Sequence, residues 1–167
     1  MPAARCDSLL WPIGRSDLKW ESHTEFVAYS AFTPGVSQWP FDAVEAEVFP
    51  DDWRTATPGR CATSVLIRVE LQPDTEQALH AKLKEWLVAE SHAVSTVVDG
   101  AAVIAGDFRI DSAGHMRFAV FAHPSARRIG RIVPQLCKIE TDRAMSMLGL
   151  ITARNLTARL NVIGPQL

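Results

Sequence analysis

The sequence of 167 residues has 47% apolar and 22% charged residues, and its 17 basic and 19 acidic side chains leave a net charge of −2. These values are typical of one ordinary globular domain, and they exclude a disordered tail, a collagenous repeat and a disulfide-stapled miniprotein. Because no basic excess is available to neutralise phosphates, we expect no nucleic-acid partner.

Cysteine usage and apolar runs bear on compartment and chemistry. Cys6, Cys61 and Cys137 are odd in number and far apart, which argues against a disulfide framework and a cysteine-based zinc site. The longest mostly apolar run, Ala144 to Ala153, is about half of the roughly 20 residues that span a bilayer. Since the N-terminus also lacks an apolar signal segment, we expect a cytoplasmic chain without a membrane span of its own. No phosphate-binding, dinucleotide-binding or nucleophile-elbow motif occurs, so the sequence names no cofactor.

The first third of the chain reads as strands followed by a long loop. Residues 1–16 are a poorly defined segment in which Leu9 to Ile13 could form a short edge strand, because Pro12 argues against a central one. Leu18 to Phe32 is predicted as one long strand, since it is rich in aromatic and β-branched residues and contains no Gly or Pro. The Pro- and Gly-rich residues 33–60 are predicted as a loop with one helical turn near Ala43 to Glu47.

The rest of the chain is predicted to alternate between strands and helices. A cap-like Asp74 precedes a helix that should end near Ala89, and helical periodicity returns over residues 125–163, where Pro134 and Gly149 could kink or divide it. Asp99-Gly100 suits a tight hairpin turn. The predicted strands of this part are Cys61 to Leu71, Ala93 to Val98, Ala101 to Ile110 and His115 to Phe121. We therefore predict a single domain over 1–167 of class α+β, with a mostly antiparallel sheet covered on one face by helices.

Three polar side chains fall in a row on the predicted first strand. Glu21, His23 and Glu25 share one face of a strand over Leu18 to Phe32, each about 7 Å from the next. Two carboxylates beside an imidazole can hold a divalent cation or keep the histidine protonated. The alternatives are a polar binding site and simply the solvated face of an antiparallel strand.

Two further pairs oppose the expected pattern of burial. Asp107 and Arg109 share one face of a strand and could form an ion pair. Glu140 and Arg143 lie inside the apolar stripe of the C-terminal helix, where a pair three residues apart can interact. Because a buried pair must be hydrogen-bonded, these residues indicate a polar network between helix and sheet, a ligand site, or an interface along the helix.

These same segments resemble a bacterial family of uncharacterised, predicted membrane-anchored proteins, catalogued as domain of unknown function 3422. The resemblance rests on Trp20-Glu21-Ser22-His23-Thr24-Glu25-Phe26, Pro40-Phe41, Gly100-Ala101-Ala102, Asp107-Phe108-Arg109, Gly114, Arg117-Phe118, Ile139-Glu140-Thr141-x-Arg143 and Ala153-Arg154-x-Leu156. It covers roughly residues 18 to 163. It implies a soluble N-terminal domain that is usually followed by a helical region and a membrane anchor, and it implies no known activity, substrate or cofactor.

The sequence departs from the family pattern at several points. The family commonly begins with a segment bearing E-L-H-A-R-P, and nothing similar precedes Asp17. Ser22 replaces the usual arginine and Asp142 the usual aromatic residue. With the anchor region also absent, we expect one domain of a longer, membrane-tethered design, associated with the membrane through regions outside this chain.

Two functional hypotheses follow from different classes. The first is a binding or interaction module that packs its long C-terminal helix on a partner or self-associates through it. The second is a small-ligand or metal-dependent enzyme of hydrolase type, in which seven residues line one pocket. The catalytic residues would be His23, as acid/base, with Glu25 and Glu140. The ligand-binding residues would be Glu21, Asp107, Arg109 and Arg143. The sequence leaves the metal and the cofactor open.

Overall fold

The structure is a computed structural model that describes residues 7–36, 40–41, 48–124 and 129–163. The chain divides into two compact units, Met1–Pro50 and Asp51–Leu167. Organisation as one domain stays a prediction.

The first unit contains a three-stranded antiparallel sheet. The strands β1 (Asp7–Ile13), β2 (Ser16–Ser22) and β3 (Val27–Phe32) follow one another in the order β1-β2-β3. Gly14 supplies the positive φ of 59° that the two-residue turn between β1 and β2 requires. Because β1 is an edge strand, it tolerates Pro12, and the predicted edge strand is confirmed.

The prediction of one long strand over residues 18–32 is wrong. The chain reverses between Ser22 and Val27, which pair across the hairpin. The N–H of His23 donates to the carbonyl of Phe26 at 2.9 Å, and their rings stack with centroids 4.2 Å apart. A turn of this kind accepts most residue types, so the absence of Gly and Pro did not exclude it.

The second unit contains a four-stranded sheet with three helices among its described residues. The elements are α1 (Asp51–Ala56), β4 (Val65–Leu71), α2 (Glu76–Trp86), β5 (Ala93–Val97), β6 (Ala102–Ile110), β7 (Met116–Ala122) and α3 (Ile129–Ile163). The strand order is β4-β7-β6-β5, with β4 parallel to β7 and the other pairs antiparallel. The predicted α+β class with a mostly antiparallel arrangement is confirmed.

The two long helices of this unit lie on opposite faces of the sheet. Ile132 and Leu136 of α3 form a buried cluster with Phe118 and other side chains of β7, β6 and β4. On the other face, Trp86 of α2 stacks on Phe121 with ring centroids 5.5 Å apart. Residues 118 and 121 point to opposite faces because side chains alternate along a strand. Both faces therefore carry a helix, whereas the sequence predicted coverage of one face.

Most predicted elements of the second unit are present with small shifts of their ends. The N-cap of α2 is Thr75 rather than Asp74, and its side chain accepts the N–H of Ala78 at 3.2 Å. Asp99-Gly100 forms the predicted hairpin turn, with φ of 54° and 85°. Helix α3 runs without interruption through Pro134 and Gly149. The helical turn predicted near Ala43 to Glu47 lies outside the described residues.

Candidate functional site

Asp107 is the most completely buried acid among the described residues. Its side chain is 0% exposed. Its partner Arg117 neighbours Phe118, which packs under α3, so the pair lies on the opposite face, which carries α2. The oxygen Oδ2 accepts a hydrogen bond from Nη2 of Arg117 at 2.8 Å. The other oxygen, Oδ1, accepts the backbone N–H of Arg109 at 3.3 Å. A carboxylate in this position is stabilised because both of its oxygens have donors.

The backbone beside Asp107 is irregular. The register of β6 against β7 shifts between Gly106 and Ile110, which marks a bulge, and Phe108 within it has a φ of 53°. Positive φ in a bulky residue persists only where its surroundings enforce it. Phe108 packs edge-on against Phe118 with centroids 5.7 Å apart, yet 56% of the residue is exposed.

Gly106 permits the close packing at this bulge. A Cβ atom added at Gly106 would lie 2.6 Å from the ring of Phe118 and 3.3 Å from the carbonyl oxygen of Arg117. The glycine is therefore required by the approach of the aromatic ring, and ring and bulge form one packed unit.

The guanidinium that pairs with Asp107 belongs to Arg117 and not to Arg109. The sequence allowed an ion pair between Asp107 and Arg109, but Arg109 is exposed and contributes its backbone N–H. Arg117, which the sequence-based site did not include, supplies the ion pair. The signal for Arg117 was available, since it alternates with Met116 and Phe118 and thus shares a buried strand face with Ala119.

The second predicted pair is confirmed on α3. Nε of Arg143 donates to Oε2 of Glu140 at 2.8 Å. The side chain of Glu140 is 3% exposed, whereas that of Arg143 is 45% exposed. Glu140 lies one turn beyond Leu136, on the side of α3 that packs on the sheet, so the predicted burial of this acid is also confirmed.

The structure does not bring the two buried acids together. Asp107 pairs with Arg117 on the face of the sheet that carries α2. Glu140 belongs to α3, which packs on the opposite face. The sheet therefore separates two carboxylate–guanidinium pairs that the enzyme hypothesis placed in one pocket.

The remaining predicted residues lie in the first unit. Oε1 of Glu21 pairs with Nζ of Lys19 at 2.7 Å on β2. His23 and Glu25 are exposed in the turn between β2 and β3, so the three side chains do not form a row on one strand. Among the described residues, no three His, Cys, Asp or Glu side chains form a group that could hold a metal ion. Convergence of these residues with those of the second unit stays a prediction.

A third ionic group, which the sequence did not suggest, lies under α2. Glu70 of β4 accepts a hydrogen bond from Nε of Arg68 at 2.6 Å and a second from Nζ of Lys82. Both cations also lie over the ring of Trp86, at 5.0 and 5.1 Å from its centroid. Burial raises the pKa of the Glu70 carboxyl, but the hydrogen bonds and charges of Lys82 and Arg68 outweigh it and lower the pKa below its ordinary value.

Comparison with known proteins assigns the chain to a family without giving it a function. By its fold and its buried ion pairs, this is an α+β protein with one carboxylate–guanidinium pair against each face of its four-stranded sheet. The chain belongs to the family described as protein of unknown function (DUF3422), which matches residues 1–167. The match extends beyond residues 18–163, which carry the resemblance described from the sequence, and includes the first residues. No curated protein and no solved structure matches the chain significantly. Within the described residues, no helix is both long and apolar enough to cross a membrane.

Proposed function

We propose that this chain is an interaction module that self-associates through the second half of α3, and that it serves a membrane-anchored protein from the cytoplasmic side. The observation that carries the proposal is the change in burial along α3. Ile132, Leu136, Glu140 and Ala144 are each less than 9% exposed. Every described side chain from Ser146 to Thr157 is exposed, although the helix continues to Ile163.

The exposed half continues the stripe that packs on the sheet. Met147 and Leu150 follow Leu136 and Glu140 at helical spacing, and they are 50% and 38% exposed. Beyond Ala144 the helix extends by about 28 Å at 1.5 Å per residue. A helical segment with little tertiary packing is only marginally stable in water. Burial of a side chain such as Met147 or Leu150 would contribute about 1.5–3 kcal/mol to its stability. A second copy of the helix would supply that packing.

The membrane context has separate support. The resemblance described from the sequence implies a membrane anchor beside this domain, and that implication supports this part of the proposal. Cys61 is a free thiol, which is the usual state in a reducing compartment.

The enzyme hypothesis is not favoured by a comparable observation. It requires Asp107 and Glu140 to share a pocket, and these residues lie against opposite faces of the sheet. Each carboxylate is bound by an arginine of its own. This arrangement supports an architectural role for both pairs.

The test is a charge placed on the exposed stripe. In Met147→Glu/Leu150→Glu, the carboxylate at 147 lies four residues after Arg143 and the carboxylate at 150 lies four residues before Arg154. Both can pair within the helix, so helicity is retained while apolar contact is lost. We expect a weight-average mass that rises less with concentration in sedimentation equilibrium than for wild type. Ala153→Glu, an exposed change on the flank of the helix, should behave as wild type. Identical curves for the three proteins would contradict the proposal.

A further inference from the structure

Strand β5 forms an outer edge of the four-stranded sheet, and its side chains are exposed on both faces. No strand among residues 7–36, 40–41, 48–124 and 129–163 pairs with its outer side. All of its residues except Val97 are exposed, and Val94 is 44% exposed. Val97, at the end of the strand, packs against the buried cluster under α3. Because neighbouring residues of a strand point to opposite faces, the other four residues leave both faces of β5 exposed.

The sequence of β5 contains none of the devices that protect sheet edges. Ala93-Val94-Ser95-Thr96-Val97 has no charge, no proline and no glycine. Two other edge strands differ: β1 contains Pro12, and β4 contains Arg68 and Glu70. An exposed, uncharged edge strand is a template for pairing with another strand.

Hydrogen bonds at the end of β6 fix which backbone groups of β5 point outward. The carbonyl of Ala101 accepts the N–H of His123, so it points toward β7, and the next N–H, that of Ala102, points toward β5. Ala102 and Ile104 therefore bond to their partners on β5, which are Val97 and Ser95. The alternation leaves the N–H and C=O of the intervening residues, Val94 and Thr96, directed away from the sheet.

We infer that β5 pairs antiparallel with β5 of a second copy of this chain, about a two-fold axis at Ser95. In this register Val94 of each copy bonds to Thr96 of the other, so all the outward groups of both strands are satisfied. The two Ser95 residues form the close, non-hydrogen-bonded pair at the axis. The product is one eight-stranded sheet of order β4-β7-β6-β5-β5-β6-β7-β4, with a self-complementary interface.

Charge placement favours a second copy as the occupant. The register that pairs Ser95 with itself sets Asp99 opposite Ser91 and Glu90 opposite Gly100, so no like charges face each other. This interface extends the proposed function by adding a contact that does not involve α3.

Charge reversal at the axis provides the test. Ser95→Lys and Ser95→Glu each place like charges in direct opposition, so we expect the dimer dissociation constant of either variant to rise at least 100-fold. An equimolar mixture should restore association as a heterodimer. Ser112→Lys and Ser112→Glu, which alter an exposed turn residue, are the matched controls and should leave association unchanged. Failure of the mixture to associate, or equal association of Ser95→Lys and Ser112→Lys, overturns the inference.

The two interfaces are distinguished by combining variants. All measurements are repeated in the Met147→Glu/Leu150→Glu background, where only the β5 contact remains. Persistent dimers that Ser95→Lys abolishes support β5 pairing, and a background that is monomeric at every concentration overturns it. Hydrogen exchange gives a second readout: the amides of Val94 and Thr96 should become protected with rising concentration, whereas those of Ser95 and Val97 are protected throughout.

Discussion

The two faces of the four-stranded sheet are both buried, but by different chemistry. On the α3 face, Phe118 and Val120 pack against Ile132 and Leu136 through apolar contacts, and the Glu140–Arg143 pair lies one turn beyond Leu136. On the α2 face, Asp107 is bound by Arg117, and a second ionic group surrounds the carboxylate of Glu70. Apolar packing depends on area and shape, whereas a buried ion pair also depends on both partners being present and charged. The two faces should therefore respond differently to substitution and to pH.

Trp86 shows how the ionic face is held together. One aromatic ring stacks on Phe121 of the sheet and receives two cations, Arg68 and Lys82, near its centroid. Glu70 then joins the two cations through its carboxylate. The ring of Trp86 thus links α2 to the sheet through one aromatic contact and two cation–π contacts.

Truncation of the apolar face should give the largest effect. Phe118→Ala removes a side chain that is 2% exposed and leaves a cavity beside Gly106, so we expect a loss of about 4 kcal/mol in the free energy of unfolding. Chemical denaturation measures it, and the loss should be the same at pH 4 and pH 7 because no charge is involved. Phe108→Ala, at the exposed ring that touches Phe118, should cost far less. An equal loss in both variants would show that the bulge, not the core, carries the energy.

Neutralising the buried acid should give the next largest effect. Asp107→Asn retains the shape and an acceptor for the N–H of Arg109, but it leaves the charge of Arg117 uncompensated, so we expect a loss of about 3 kcal/mol. The double variant Asp107→Asn/Arg117→Gln should be less destabilised than the sum of the single variants, since the pair is removed as a unit. Arg109→Gln should be nearly neutral, because its side chain is exposed. Additive losses in the double variant would contradict the pairing of Asp107 with Arg117.

Local sequence patterns predicted the helices and strands of the second unit better than they predicted which side chains pair between them. Periodicity located α2 and α3, the Asp99-Gly100 turn and the burial of Glu140, because each depends on residues close in sequence. The hairpin at His23 was missed because its turn residues carry no strong signal. The partner of Asp107 was assigned to Arg109, two residues away, whereas Arg117 reaches it from the next strand through a bulge. Such pairing depends on tertiary register, which a single sequence does not contain.

The smallest effect is expected at Glu70, and it should depend on pH. The pKa of this carboxyl is lowered from its ordinary value of 4.5, so its ionic contacts stabilise the fold fully above that pH and lose their contribution as the pH falls through the folded-state value. Glu70→Gln should therefore cost about 1–2 kcal/mol at pH 7, where hydrogen bonds to two cations are weakened, and progressively less below pH 4.5. Urea denaturation of wild type and variant between pH 3 and pH 7 measures this difference. Glu85→Gln, at an exposed position of α2, should show no such trend. If the loss in free energy of unfolding for Glu70→Gln stayed constant from pH 3 to pH 7, the side chain would act by packing alone. The α2 face would then resemble the α3 face more closely than its charges indicate.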